Sequence, residues 1–123
     1  MSTRAILFNN ATGLIINADN LILPPAKIIG FSCNVSSKTS NYTLGSSDDV
    51  IICNNSTSMT VTIPSGLSDG KVFNIKNASN VGSVTVDANV AASSTIDDEL
   101  TQVVSSYENI TIIKYSGSEW SII

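Results

Sequence analysis

The chain has 123 residues and a mass of 12.9 kDa, enough for one domain with a modest core. Charged residues make up 13%, hydrophobic residues 42%, the formal net charge is -4 and histidine is absent. Those counts exclude a histidine base, a histidine metal ligand and a Ser-His-Asp triad. The acidic balance argues against nucleic acid as a partner.

Met1-Ser2-Thr3-Arg4-Ala5-Ile6-Leu7-Phe8 starts like a secretory leader, but Asn9-Asn10 ends the apolar run. A leader needs roughly 7–15 apolar residues and a membrane-spanning helix about 18, so neither export nor a membrane is expected. Thr3–Phe8 and Gly13–Asn17 are predicted as a hairpin around Asn9-Asn10. Leu21–Leu23 stops at Pro24-Pro25, which cannot continue a ladder. Lys27–Val35 reads as a strand and the Ser/Lys/Thr stretch after it as a linker.

From Tyr42 the rhythm is regular. Strands are predicted at Tyr42–Leu44, Val50–Cys53, Met59–Ile63, Lys71–Lys76, Ser83–Val86, Thr101–Val104, Asn109–Lys114 and Glu119–Ile123. Turn residues separate most of them: Gly45-Ser46-Ser47-Asp48, Pro64-Ser65-Gly66, Asp69-Gly70, Asn80-Val81-Gly82 and Ser116-Gly117-Ser118. The best helix candidate is short, at Asp97-Asp98-Glu99-Leu100. The expected fold is therefore all-β, a small antiparallel sandwich or barrel of jelly-roll type. Residues 1–38 form an N-terminal arm or added strands, and residues 39–123 a compact module.

Alternation divides the strands. Thr60-Val61-Thr62-Ile63 and Val84-Thr85-Val86 alternate, as strands with one wet face do. Val50-Ile51-Ile52, Ile110-Thr111-Ile112-Ile113 and Trp120-Ser121-Ile122-Ile123 do not. Apolar residues on both sides of a strand point either to ordinary two-sided burial within one large sandwich or to a second contact surface, against the arm or a neighbouring subunit. On the subunit reading Ile110, Ile112, Ile113, Trp120, Ile122 and Ile123 are candidate interface residues.

Catalytic chemistry has little to stand on. Asp48-Asp49 and Asp97-Asp98-Glu99 lack calcium-loop spacing and sit among polar turn residues, so they read as solvated turns. The hydroxyls have no accompanying base, and no Ser-x-x-Lys or glycine-rich phosphate loop occurs. Cys33 and Cys53 lie in or beside apolar runs and read as buried free thiols, although a bridge is not excluded by spacing. Trp120 with Tyr42, Tyr107 and Tyr115 would make a sugar-stacking platform if exposed. Core packing is the more ordinary fate of a lone Trp. No enzymatic activity, cofactor or metal is expected.

The order of phrases is more informative than any one of them. Tyr42-Thr43-Leu44 precedes Asp49-Val50-Ile51. Then come Thr60-Val61-Thr62-Ile63-Pro64 and Gly70-Lys71-Val72-Phe73-Asn74-Ile75-Lys76-Asn77. Ser83-Val84-Thr85-Val86, Thr95-Ile96-Asp97 and Ile110-Thr111-Ile112-Ile113 follow. Gly117-Ser118-Glu119-Trp120-Ser121-Ile122-Ile123 closes the set. This stretch, about two thirds of the chain, resembles a β-module that recurs in phage tail fibres, head fibres and small capsid decoration proteins. The resemblance implies a non-enzymatic homotrimer on the virion exterior. Its partners would be the major capsid protein or another virion protein, and for a fibre tip a host surface glycan. The arm residues Arg4, Ile6, Leu7, Phe8, Leu14, Ile15 and Ile16 would then be the docking element. Asp98 stands where such modules often have glycine, so the loop there is expected to differ.

Overall fold

The computed structural model describes residues 32–123. The chain divides into Met1–Phe31 and Ser32–Ile123, and the architecture reported below belongs to the second unit. The predicted hairpin, the strand at Leu21–Leu23, most of Lys27–Val35 and the seven docking candidates from Arg4 to Ile16 lie outside the described residues.

The described strands are β1 (Val35–Lys38), β2 (Tyr42–Thr43), β3 (Val50–Cys53), β4 (Met59–Thr62), β5 (Val72–Asn77), β6 (Val84–Asp87), β7 (Thr95–Ile96), β8 (Thr101–Val104), β9 (Asn109–Ser116) and β10 (Glu119–Ile122). A short 3₁₀ turn, Val90–Ala92, precedes β7. One sheet has six strands in the order β1-β3-β5-β9-β10-β7, and the other has four in the order β2-β4-β6-β8.

From β1 to β6 the chain changes sheet at every connection. A strand therefore meets its sheet neighbour only after two crossings, when the chain runs the same way again. The consequence is parallel pairing: β1 with β3, β3 with β5, β2 with β4, and β4 with β6. Sheet-changing turns of this kind stack into coils, and β8 and β9 close the stack by adding antiparallel to β6 and β5. β10 then folds back antiparallel on β9, and β7 runs parallel beside it. Both sheets are mixed, which corrects the antiparallel jelly-roll expectation. An alternating pattern specifies which face of a strand is buried but not the direction of its neighbour.

The core lies between the sheets. Ile51, Cys53, Phe73, Ile75, Ile110, Ile112 and Trp120 point inward from the six-stranded sheet, and Met59, Val61, Val84, Val86 and Val104 from the other. The Trp120 ring stacks on Phe73, with centroids 5.6 Å apart and planes 26° from parallel. That geometry adds an aromatic contribution to the burial.

Two predicted elements differ. The Ser/Lys/Thr linker holds an edge strand: Val35–Lys38 pairs with β3 from Val35↔Val50 to Lys38↔Cys53. Ser and Lys are weak strand formers, but an edge position tolerates them. Asp97–Leu100 is not helical. Asp97 and Asp98 have φ of 49° and 66°, and Ile96 and Glu99 exchange backbone hydrogen bonds of 2.8 and 3.0 Å across them. Consecutive left-handed residues make this a tight hairpin turn.

Candidate interaction surfaces

The acidic pair at Asp48-Asp49 supports the turn that leads into β3. Asp48 is buried, and its Oδ2 accepts from the Tyr42 hydroxyl at 2.8 Å and from the Gly45 amide at 2.7 Å. The bond to Asp48, then burial and the Asp48 charge, hold the Tyr42 phenol above its ordinary pKa. Asp49 accepts from the Asn34 amide at 2.8 Å and from Lys71 Nζ at 3.1 Å. Those two bonds hold its carboxyl below the ordinary range. Both carboxylates are thus engaged by named donors; the solvated-turn reading is corrected for buried Asp48, while the Asp49 side chain remains 40% exposed. Among the described residues no group of His, Cys, Asp or Glu is arranged to hold a metal ion, and no pocket is present.

The cysteines part company. Both are free thiols, Cys33 exposed and Cys53 buried. Burial pushes the Cys53 thiol up to about 11. The expectation that both are buried therefore holds for Cys53 alone.

The aromatic platform is not assembled. Trp120 is committed to the core. Tyr107 and Tyr115 are exposed, but Tyr107 lies just before the long strand β9 and Tyr115 near its far end. At about 3.4 Å per residue they stand roughly 25 Å apart. Tyr107 occupies the third position of a turn closed by the Glu108 amide donating to the Ser105 carbonyl at 3.0 Å, and its φ is 63°. Lys76 Nζ donates to its carbonyl oxygen. Tyr115 donates its hydroxyl to Glu119 Oε2 at 2.7 Å, the main reason its pKa is raised.

The interface candidates separate by face. Ile110, Ile112 and Trp120 point inward and are buried in the core of their own chain. Ile113 is half-buried on the outward side of β9. Ile122 and Ile123 are exposed at the end of β10, where Asp97 Oδ1 accepts from the Ser121 hydroxyl at 2.7 Å and the Ile122 amide at 3.2 Å.

The two outward sheet faces differ in chemistry. On the four-stranded sheet, register aligns Thr60, Thr85 and Val103 in one row and Thr43, Thr62, Asp87 and Thr101 in the next. That face is hydroxylic and carries a carboxylate. On the six-stranded sheet, Val35, Val50, Asn74 and Thr111 align, as do Val72 with Ile113 and Ile52 with Lys76. Asn74 donates to Thr111 Oγ1 at 2.7 Å in the middle of that face. No protein-family model matches the chain, and no curated protein matches it. The surfaces must therefore be read from their own chemistry. Sequence patterning singled out Val50-Ile51-Ile52 and Ile113 but not Val35 or Val72, whose place beside them is set by strand pairing.

Proposed function

We propose that the chain is a non-enzymatic structural protein of a virion, a capsid decoration or head-fibre protein that binds the assembled shell as a trimer and stabilises it. The observation that carries this reading is the ordered set of phrases from Tyr42 to Ile123, which falls on the strands of a single two-sheet unit. Tyr42-Thr43 is β2, Val50-Ile51 opens β3, Thr60-Val61-Thr62 lies in β4, and Val72–Asn77 is β5. Val84–Val86 lies in β6, Thr95-Ile96 is β7, Ile110–Ile113 lies in β9 and Glu119–Ile122 is β10.

The mechanism is linkage. A protein that binds the assembled shell and not its dissociated subunits lowers the free energy of the shell by mass action. At a free concentration a hundred times Kd this amounts to about 2.7 kcal/mol per site. Such work calls for a rigid frame and a docking element, and residues 1–23, with Arg4, Ile6, Leu7, Phe8, Leu14, Ile15 and Ile16, are the proposed docking element. An apolar segment of this kind can dock by adding strands to a capsid sheet.

The test is co-sedimentation of the full chain with the virus's own empty shells, followed by heating of the decorated and bare shells. Decorated shells should rupture at a higher temperature, and deletion of residues 1–23 should abolish binding while the two-sheet unit keeps its strand signal. A chain that neither sediments with shells nor shifts their rupture temperature rejects the decoration reading.

A tail-tip adhesin or carbohydrate-binding module is the alternative. Exposed Tyr107, held at positive φ in its turn, favours it, because strained exposed residues concentrate at functional sites. The separation of Tyr107 from Tyr115 leaves a sugar only one exposed tyrosine at a time. The virion-decoration reading is therefore preferred.

A further inference from the structure

We infer that the outward face of the six-stranded sheet, over β1, β3, β5 and β9, is covered by further copies of the same chain. Three such faces would line a common threefold axis as the sides of a triangular prism. The inference rests on the trimeric reading above and names the face that makes the trimer.

The first ground is an internal comparison. Strands β1-β3-β5 and β2-β4-β6 are two parallel triplets built by the same coiling chain. Parallel sheets are ordinarily covered on both faces, and their strands then read as continuous apolar runs. The β2-β4-β6 triplet departs from that habit in its composition, because its outward side chains are Thr43, Thr60, Thr62, Thr85 and Asp87, all polar, and exposed Val103 of β8 is the large aliphatic side chain in their rows. The β1-β3-β5 triplet keeps it. Its outward side chains include Val35, Val50, Ile52 and Val72, and Ile113 of β9 continues the patch beside Val72. Val35 is 58% exposed and Val72 38% in the isolated chain. Val35, Val50 and Ile52 are neighbours, as are Val72 and Ile113, with the Asn74–Thr111 pair beside both groups, and apolar side chains gathered on one face in this way mark an interaction surface.

Charge selects the occupant. The chain carries a net -4, so two copies repel unless they meet where carboxylates are absent. Strands β1, β3, β5 and β9 contain no Asp or Glu. The outward cation, Lys76, is engaged by the Tyr107 carbonyl, and Asn74 and Thr111 satisfy each other. A face without carboxylates, its cation and its central polar pair already engaged, can meet copies of itself under rotation, the condition that a closed homo-oligomer imposes.

The experiment measures native mass by light scattering for the full chain, for Val50→Asp, for Ile113→Asp and for Thr85→Asp on the opposite sheet. The expected result is three times 12.9 kDa for the natural chain and Thr85→Asp, and a threefold loss to 12.9 kDa for Val50→Asp and Ile113→Asp. Because an aspartate could also prevent folding, a second measurement uses Val50→Cys and Thr85→Cys in a Cys33→Ser background. The thiol at position 50 should resist a bulky maleimide in the native assembly and the thiol at position 85 should react at once. A trimer that survives both aspartates, with position 50 freely labelled, overturns the face and leaves the trimer standing. A monomeric natural chain overturns both.

Discussion

The Asn77 side-chain amide donates to the carbonyl oxygen of Val104 at 3.0 Å and so ties β5 of one sheet to β8 of the other inside the sandwich. The same nitrogen donates to the Gly82 carbonyl at 2.8 Å, and Asn77 Oδ1 accepts from the Ser79 amide at 3.0 Å. A fully enclosed amide that meets three backbone groups fixes where β5 ends and how the chain turns toward β6. Asn77→Ala should leave the Val104 and Gly82 carbonyls without this donor. An orphaned buried acceptor costs about 1–3 kcal/mol, and chemical denaturation should register a loss of about 3 kcal/mol. A loss under about 0.5 kcal/mol would show that water takes over the amide's role.

Gly82 lies against the backbone of the loop before β4. A Cβ there would meet the Thr57 carbonyl oxygen well inside van der Waals contact, with the Thr57 carbonyl carbon at 2.6 Å and the Ser58 nitrogen at 3.0 Å. Backbone has little room to yield, so Gly82→Ala should destabilise by about 1–3 kcal/mol. Gly45 is the internal control: its Cβ would find Asp48 Oδ2 at an ordinary 3.6 Å. Equal thermal midpoints for the two alanine variants would contradict the close approach at Gly82.

The hairpin turn at Asp97-Asp98 has the backbone that a glycine at position 98 would suit, yet aspartate stands there. Two consecutive left-handed residues are best served by Asx followed by Gly. Asp97 fits because its carboxylate also holds Ser121 and Ile122. Asp98, exposed and at φ 66°, only bears the strain. Asp98→Gly should therefore stabilise by about 0.5 kcal/mol, raising the melting temperature by about 2–4 °C. Asp97→Gly should lower it. A rise for both would mean that the Asp97 bonds contribute nothing.

The thiols give a pH prediction. Cys53 is raised from 9.0 to about 11 by burial. The unfolded thiol ionises first, so the contribution is complete below about pH 9 and is lost as pH climbs toward about 11. A shift of this size is worth on the order of a few kcal/mol. Cys53→Ala, compared with the natural chain between pH 8 and 11, should flatten the alkaline decline in stability. At neutral pH a thiol reagent should modify exposed Cys33 and reach Cys53 only after denaturation. Rapid modification of both under native conditions would place Cys53 outside the core.

Much of the unit is legible in the chain alone. Alternation and turn chemistry locate β3 and β8 residue for residue and most of the other strands within a residue or two, because burial on one side writes a period of two into the sequence. The inward row Val61, Ile63, Val84 and Val86 follows from the same rule. Pairing is what the tertiary structure decided. Parallel and antiparallel strands carry the same alternation, and direction depends on whether the connection stays in its sheet or crosses the core, as it does at each step from β1 to β6. That crossing makes a strand of Ser36-Ser37-Lys38, which gains its backbone partners only beside β3. It also resolves the strands that fail to alternate. In Val50-Ile51-Ile52, Ile51 faces the core while Val50 and Ile52 face outward. Beside them pairing sets Val35, and along the same sheet Val72 beside Ile113, an apolar face assembled from four strands that are separate in sequence and neighbours only in the fold.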